Sequence, residues 1–460
     1  MSYFTKSGKD MTLEEIQRVG DTLINKTFRD LGDNLNDNKG GFGHFIEKNV
    51  FNYEPNSDSE PDFKTAKTEL KVTPVRKLNS GKYVSKERLV LNIINYELEA
   101  TKTFYTSSFW KKNAILYILF YLYDGKKEKL DFLILKSLLL EFEKLKNDLA
   151  IIKNDWQIIH NKIIEGKAHE ISEADTLYLA ACTKGANASS MRAQYNSDIP
   201  AKQRAYSLKN SYMTQIFNRS KIHESLNLMV DAIELEKQGF EKILTQRLTK
   251  FIGLSQDELK RMFNITSNAK NLNELLVSAM LGLKNTRVSK TEEFLKANII
   301  PKTIRVENNN TIREHMSFET FEFTKIIEET WEDSSLKDHF ESTKFMFVIF
   351  KNNGTDYIFK GIKFWNMPVF DIETDLRDVW EKTIEIIKSG NIVKEITHRR
   401  ETNFPKPSDN RVSHVRPHAK DSQDEYPLPM MDRLTKKTSF TKQCFWLNKS
   451  YLLDIIRNII

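Results

Sequence analysis

Short apolar runs alternate along the chain with longer segments in which apolar residues recur at helical spacing. The continuous apolar run Ile115–Leu122 predicts a central, fully buried strand. Residues 89–96 predict a further strand, and residues 62–75 predict an extended hairpin. Residues 13–31 and 135–164 carry apolar positions three and four apart and predict helices. Strands around a central sheet with flanking helices indicate the mixed α/β class.

Four segments of the first half recur in the second half, in the same order and at nearly constant separation. They pair residues 62–72 with 293–303, 110–120 with 340–350, 156–166 with 380–390, and 207–217 with 446–456. Each match alone is faint, but a conserved order of four is hard to obtain by chance. The pattern predicts a duplication into halves 1–217 and 265–460, joined by a helical connector at 218–264.

Composition limits the number of domains and the classes of protein to which the chain can belong. A chain of 460 residues, 40% of them hydrophobic, is long enough for two or three cores. Its two cysteines, Cys182 and Cys444, form neither a disulfide framework nor a four-ligand zinc site. No apolar run reaches the roughly 18–20 residues of a membrane helix, and the charged N-terminus is not typical of a signal peptide. We therefore expect a cytoplasmic protein; its net charge of +7 permits a polyanionic partner without indicating one.

The candidate chemistry lies in Asp62, Glu69 and Lys71. Glu69 and Lys71, two apart on a strand, project from the same face, and the residues before them allow a turn that brings Asp62 beside Glu69. Converging carboxylates suit a hard cation such as Mg²⁺, and Glu47 is a candidate third carboxylate. A neighbouring lysine can orient or deprotonate a water and offset the charge that builds on phosphorus. These groups fit hydrolysis of a phosphodiester.

The spacing D-x6-E-x-K by itself also fits an ordinary charged strand exposed to solvent. Its surroundings are more specific: K-G-x-x-G-x-x-I-E at residues 39–47 precedes D-F-x5-E-L-K-x-x-P at residues 62–74. Together they resemble the MutH family of endonucleases and the related type II restriction endonucleases that cut at GATC. The resemblance covers most of residues 13–217 and, more faintly, the second half. It implies a restriction-endonuclease-like core sheet flanked by helices and present twice in tandem.

The resemblance also implies roles for individual side chains. Asp62 and Glu69 would bind Mg²⁺, Lys71 would act on the nucleophilic water, and Glu47 and Lys111 would complete the catalytic site. The loop at residues 182–189 resembles the family's recognition loop, and residues 204–213 resemble its C-terminal element. Contacts to DNA are accordingly expected from Lys184, Gly185, Tyr206, Ser207 and Lys209. Ser207 departs from the family, since an aromatic residue is expected at that position.

The second half has lost the candidate metal site. Ile300 stands where the first half has Glu69, and Ile300 cannot bind a cation. Residues 414–423 nevertheless resemble the recognition loop more closely than the first copy does. DNA contacts are expected there from Arg416, His418, Lys420 and Lys449. A half that keeps DNA-reading parts without the metal site is predicted to be a non-catalytic DNA-binding domain.

The sequence therefore predicts a Mg²⁺-dependent type II restriction endonuclease that cleaves double-stranded DNA at 5′-GATC-3′. The first half would cut, and the second would bind another copy of the site, so that DNA looping and allosteric activation become part of the reaction. We expect a monomer in solution; with one active site per chain, double-strand cleavage requires dimerisation on DNA or sequential nicking. Two alternatives remain open at this stage, a MutH-like mismatch-repair nicking endonuclease and a non-catalytic GATC-binding protein.

Overall fold

The computed structural model describes residues 8–33, 35, 41–55, 58–78, 80–185, 190–219, 229–267, 271–284, 286–396 and 400–460. The chain divides into two compact units. Unit 1 comprises Met1–Ile243 and Lys290–Asn298, and unit 2 comprises Leu244–Ser289 and Ile299–Ile460. Residues 218–264, predicted as a separate connector, are thus shared between the units. Each unit combines helices and sheets, so the predicted mixed α/β class is confirmed.

The strands, numbered along the chain, are β1 (Glu69–Lys77), β2 (Tyr83–Ser85), β3 (Leu89–Ile93), β4 (Ile115–Leu122), β5 (Leu133–Glu141), β6 (Leu179–Thr183), β7 (Met191–Gln194), β8 (Ser197–Lys202), β9 (Arg204–Leu208), β10 (Ile299–Val306), β11 (Met316–Phe321), β12 (Lys344–Asn352), β13 (Tyr357–Trp365), β14 (Val393–Ile396), β15 (Arg400–Thr402), β16 (Ser413–Pro417), β17 (Glu425–Pro427), β18 (Ser439–Thr441) and β19 (Gln443–Leu447). The helices are α1 (Leu13–Asp21), α2 (Gly41–Asn49), α3 (Tyr96–Glu99), α4 (Ser108–Asn113), α5 (Lys146–Ile164), α6 (Asn210–Asn218), α7 (Ala232–Gln238), α8 (Phe240–Thr249), α9 (Gln256–Met262), α10 (Leu272–Met280), α11 (Glu292–Ala297), α12 (Phe323–Ile326), α13 (Ser335–Ser342), α14 (Val369–Asp371), α15 (Arg377–Ser389) and α16 (Lys449–Ile456).

Unit 1 is built on a four-stranded sheet in the order β2-β1-β4-β5. The apolar run of β4 is buried almost throughout, as predicted, because β4 lies between two neighbours. It pairs in parallel with β1, Glu69 opposite Leu116, and antiparallel with β5. A second, three-stranded sheet has the order β3-β9-β6, and β7 and β8 form a hairpin.

Two predicted helices are shorter than expected. The helix predicted at 135–164 begins only at Lys146, because the preceding residues form β5 and supply hydrogen-bond partners to the open edge of β4. The helix predicted at 13–31 is capped at its start by Thr12 but ends at Asp21. The chain beyond it reaches β5, where the Asn25 N–H donates a hydrogen bond to the Ile134 carbonyl (2.9 Å). In both places the need to pair backbone groups overrides helical spacing.

Helix α11 belongs to unit 1, although the chain on either side of it belongs to unit 2. Its Lys296 is fully buried, and Nζ donates hydrogen bonds to both carboxylate oxygens of Asp148 (2.6 and 2.7 Å). The Tyr212 hydroxyl donates to the same carboxylate (2.9 Å), and the Ser211 hydroxyl donates to the Lys296 carbonyl (2.7 Å). The buried charge pair therefore joins α11 to α5, and the Ser211 hydrogen bond joins α11 to α6.

Unit 2 has a three-stranded sheet in the order β10-β12-β13, with β10 parallel to β12 and β12 antiparallel to β13. A second sheet has the order β11-β19-β16, and β14-β15 and β17-β18 form two-stranded ribbons. Its core is rich in aromatic residues, among them Phe345, Phe347 and Trp380. Among the helices described in either unit, none is long and apolar enough to cross a membrane.

Candidate active site

A tight turn before β1 sets up the site. The Phe63 N–H donates to the Thr68 carbonyl (2.9 Å) and the Thr68 N–H donates to the Phe63 carbonyl (3.2 Å). Between them Lys67 takes the left-handed conformation, with φ of 49°, that such a reversal requires. The turn folds the chain back on itself, so that Asp62, just before it, comes to lie opposite Glu69, just after it.

The structure brings Asp62, Glu69 and Lys71 together. The Leu70 N–H donates to Oδ2 of Asp62 (2.9 Å), and the Asp62 N–H lies 3.3 Å from Oε2 of Glu69. Lys71 Nζ donates to Oε1 of Glu69 (2.8 Å). The Glu69 residue is only 3% exposed, so this contact forms away from bulk water. Two carboxylates and an ammonium group thus share one small volume at the start of β1.

The carboxylates of this group repel one another. Burial, and next the charge of Glu69, raise the pKa of Asp62 to about 7. Burial and Glu69 likewise raise the pKa of Glu47, which α2 carries toward the same place. The positive charges of Lys71 and Lys112 oppose the rise at Glu47. Clustered carboxylates with raised pKa values are an arrangement that a bound cation stabilises.

Lys112 reaches the carboxylates, and the predicted Lys111 does not. The Lys112 Nζ lies 3.7 Å from Oε1 of Glu69 and donates to the Asp58 carbonyl (2.6 Å). Lys111, one position earlier on α4, is exposed to solvent. Adjacent helical positions point about 100° apart, and sequence alone did not indicate which of them faces β1. Lys112 is therefore the second lysine that lies beside these carboxylates.

The donor set fits a hard divalent cation. Asp62 and Glu69 offer carboxylate oxygens, the ligands that Mg²⁺ prefers alongside water and phosphate. Across the described residues, no group of three His, Cys, Asp or Glu side chains is arranged to enclose a metal. Such a cage is not required of an ion that keeps much of its shell as water and substrate oxygen. Asp62 and Glu69 are the residues that could hold such a cation, with Glu47 close to them.

The predicted DNA contacts of unit 1 fall into two groups. Lys184 and Gly185 are exposed at the end of β6, and the remainder of their loop, 186–189, lies outside the described residues. The base of the loop is fixed, since the Lys184 N–H donates to the Gln203 carbonyl (2.8 Å) and the Gln203 amide donates to the Lys184 carbonyl (2.6 Å). These two residues are available to a ligand.

Tyr206, Ser207 and Lys209 are buried, which contradicts their prediction as DNA contacts. β9 is the middle strand of its sheet, and both of its faces are covered. The Tyr206 hydroxyl donates to Oε1 of Glu99 (3.0 Å), and Lys209 Nζ donates to the Thr176 carbonyl (2.7 Å). A side chain committed to an internal hydrogen bond stabilises the fold and does not read a groove.

In unit 2 an apolar residue, Ile300, stands at the position that corresponds to Glu69. Ile300, near the start of β10, pairs with Phe345 of β12 and packs against the core of the unit. Lys302 remains two positions later, and burial lowers its pKa. Both line a cavity of about 670 Å³ that also includes His339 and His418. Ile300 itself has no oxygen to offer a cation, although Glu319 also lines this cavity.

The predicted DNA contacts of unit 2 are exposed, in contrast to those on β9. Arg416, His418, Lys420 and Lys449 all face solvent. The Arg416 guanidinium lies 4.9 Å from the ring centre of Trp446, and the His418 ring lies 5.3 Å from it. Trp446 was not among the predicted site residues; a half-exposed tryptophan among cations is the signal that could have indicated it.

The sheet, the carboxylate pair and the two lysines define a nuclease of the MutH type. The family model described as "DNA mismatch repair enzyme MutH" matches residues 51–155, which contain Asp62, Glu69, Lys71 and Lys112. Over an alignment of 488 positions the chain is 38% identical to the type II restriction enzyme Sau3AI of Staphylococcus aureus, covering 98% of this chain and 99% of that protein. The chain belongs to this family of type II restriction enzymes.

The comparison confirms the predicted enzyme class. The protein is a type II site-specific deoxyribonuclease, and its substrate is double-stranded DNA. Enzymes of this class generally use a divalent metal ion, which agrees with the oxygen donors of Asp62 and Glu69.

Proposed function

We propose that the protein cleaves double-stranded DNA at 5′-GATC-3′ with Mg²⁺, that unit 1 cuts, and that unit 2 binds a second copy of the site. The observation that carries the division of labour is the contrast between Glu69 and Ile300. Each lies at the start of a strand that pairs in parallel with the central strand of its sheet. Unit 1 offers a carboxylate there and unit 2 a hydrocarbon. The GATC sequence itself rests on the motif resemblance of residues 39–47 and 62–74.

The order of elements supports a duplication. In unit 1, β1 is parallel to β4, and β4 is antiparallel to β5; in unit 2, β10, β12 and β13 repeat that pattern. The second sheets, β3-β9-β6 and β11-β19-β16, both place the last strand in the middle. A helix follows that strand each time, α6 in one unit and α16 in the other. The two units are proposed to be copies of one domain, of which only the first keeps the carboxylate of Glu69.

In unit 1 each of four side chains is assigned a separate role in hydrolysis. A bound Mg²⁺ supplies Lewis acidity at the phosphate and lowers the pKa of a water. Asp62 and Glu69 hold the ion, and their backbone hydrogen bonds keep the two carboxylates in place. Lys71, whose ammonium group donates to Glu69 (2.8 Å), would orient the attacking water beside these carboxylates. Lys112 offsets the negative charge that builds on the phosphate oxygens.

In unit 2 a cationic surface supports DNA binding without cleavage. Arg416 and Lys449 gather near His315, where burial and then these two positive charges lower the pKa of the imidazole. The ring of His418 also contacts Trp446, edge to face. Arginine and lysine contact phosphates and guanine edges, and a tryptophan offers a surface for stacking. This surface is the proposed second DNA site.

Plasmid cleavage tests the proposal. Plasmids with one or two GATC sites are incubated with protein and Mg²⁺ or EDTA, and nicked, linear and fragmented products are followed. We expect Mg²⁺-dependent double-strand cleavage that is several-fold faster on the two-site plasmid, and stimulation of the one-site plasmid by a GATC oligonucleotide. Equal cleavage rates on the two plasmids, with no stimulation by the oligonucleotide, would contradict binding of a second site by unit 2. Accumulation of nicked circles alone would favour the mismatch-repair type of activity.

A matched pair of variants tests which unit cuts. Lys71→Met and Lys302→Met make the same change at corresponding strand positions of the two units. We expect Lys71→Met to abolish cleavage and Lys302→Met to keep it. Cleavage that survives Lys71→Met, or is lost only in Lys302→Met, would contradict the assignment of catalysis to unit 1.

A further inference from the structure

Tyr53 lies next to the carboxylates of unit 1 and has no part in the chemistry described so far. It follows α2, and its N–H donates to the Glu47 carbonyl (3.1 Å). Its ring packs edge-on against Phe63, the neighbour of Asp62, with 5.9 Å between ring centres. The residue is 6% exposed. Tyr53 is thus held between the segment that carries Glu47 and the turn that carries Asp62.

The ring of Tyr53 has little freedom to move. Gly8 approaches it so closely that a Cβ on Gly8 would lie 2.9 Å from Cδ1 of the ring and would also collide with the Phe51 carbonyl oxygen. Phe51 and Phe63 pack against each other beside it, with ring centres 4.9 Å apart. The position of the hydroxyl is therefore fixed by packing on several sides.

The hydroxyl of Tyr53 is buried and, among the residues that the structure describes, has no hydrogen-bond partner. Leaving a buried polar group without a partner destabilises a fold, so a phenylalanine would serve packing better at this position. Burial, and then the negative charges of Asp62, Glu47 and Glu69, raise the pKa of Tyr53. The phenol therefore keeps its proton and is a buried hydrogen-bond donor that feels the negative charges of all three carboxylates.

We infer that Tyr53 is a positioning residue of the cation site, whose hydroxyl donates a hydrogen bond to a cation-bound water among Asp62, Glu47 and Glu69. The inference rests on the proposed Mg²⁺ site and adds to it a neutral donor. Mg²⁺ keeps several waters when proteins bind it, and those waters need acceptors and donors of fixed position. Groups that support the ligands of a metal in this way typically contribute 10–100-fold to affinity.

Mn²⁺ binding to the full chain tests this role, measured by the loss of the electron paramagnetic resonance signal of free Mn²⁺. The variants are Tyr53→Phe, Tyr117→Phe and Glu69→Gln. Tyr117 is a matched control, because its hydroxyl is also buried in unit 1 but lies against α1, where a Cβ on Gly20 would meet it. We expect Tyr53→Phe to weaken Mn²⁺ binding about 10-fold, Tyr117→Phe to leave it unchanged, and Glu69→Gln to abolish it.

The thermal stability of the same variants in EDTA provides the second readout. We expect Tyr53→Phe to be at least as stable as the unmodified protein, because the change removes a buried group without a partner. A Tm lowered by several degrees would show that the hydroxyl serves the fold, and would overturn the inference. Unchanged Mn²⁺ affinity in Tyr53→Phe, with loss in Glu69→Gln, would also overturn it. Unchanged affinity in Glu69→Gln would instead overturn the proposed metal site.

Discussion

The backbone N–H of Asp62 lies 3.3 Å from the carboxylate of Glu69, toward which it donates a hydrogen bond across the turn that separates them. The Leu70 N–H makes the reverse connection, donating to Asp62. Each carboxylate is therefore oriented by the main chain beside the other. The pair is built by local structure, so its geometry depends on the turn at residues 63–68 and does not require distant parts of the fold.

The two neighbouring lysines of α4 are expected to differ sharply in their effect on cleavage. Lys112→Ala removes a positive charge 3.7 Å from Glu69, and we expect it to lower kcat by about 10-fold or more. Lys111→Ala removes an exposed charge and should change kcat by less than about twofold. Single-turnover cleavage of a GATC duplex measures both. A larger effect from Lys111→Ala would show that Lys111, as the sequence predicted, acts in the site.

Tyr206 and Lys184 are expected to give opposite phenotypes. Tyr206→Phe removes a buried hydrogen bond to Glu99 and should lower the free energy of unfolding by about 1–3 kcal/mol, with DNA affinity unchanged. Lys184→Ala alters an exposed side chain and should weaken DNA binding without changing stability. Urea unfolding and gel-shift titration in Ca²⁺ distinguish the two. Weakened binding in a fully folded Tyr206→Phe would show that β9 contacts DNA after all.

The cationic surface of unit 2 can be tested by the salt dependence of DNA affinity. If Arg416 and Lys449 each neutralise a phosphate of a second DNA site, each alanine variant should reduce the slope of log K against log salt by about 1. Lys382→Ala, on α15 and paired with Asp378, is the control of equal charge change. Filter binding of GATC duplexes to Lys71→Met protein avoids cleavage during the measurement. An unchanged slope in both variants would place the second site elsewhere.

Acid should destabilise unit 2 through His414. Burial lowers the pKa of His414 to about 4, and its Nδ1 lies 2.6 Å from Oδ1 of Asn448. A pKa below the ordinary 6.5 means that the unfolded chain binds the proton more tightly, so stability is lost as pH falls from about 6.5 toward 4. The loss is at most about 3 kcal/mol, from 1.36 kcal/mol per pKa unit.

Urea unfolding followed by tryptophan fluorescence checks this prediction, because Trp331, Trp365, Trp380 and Trp446 lie in unit 2. The urea concentration at the midpoint of unfolding should decrease as the pH is lowered from 7 to 5 in the unmodified protein. In His414→Gln, which retains a donor for Asn448, the fall should be smaller. The same pH dependence in both proteins would assign the effect to other groups.

Local sequence spacing was enough to predict the centre of the site. The periodicity of a strand places Lys71 over Glu69, and a short turn brings Asp62 back, so these contacts depend on neighbouring residues alone. The assignment of Lys112 over Lys111 depends on how α4 is rotated against β1, which is a tertiary contact. The burial of Tyr206 depends likewise on β9 being the middle strand of its sheet, and that of Lys209 on a contact with the distant Thr176 carbonyl. For β5, apolar spacing fits a helix as well as a strand, and pairing with β4 decides.

The contact between Lys296 and Asp148 limits how the gene can be divided or recombined. The amino-terminal half of the sequence carries the carboxylate, while the lysine that neutralises it is encoded after Ser289, beyond a stretch that folds elsewhere. A gene fragment ending at residue 217 or 264 would leave Asp148 buried without its cation, at a cost of about 3–5 kcal/mol. Recombination between relatives therefore preserves this buried pair of unit 1 only when residues 290–298 are inherited together with residues 1–243.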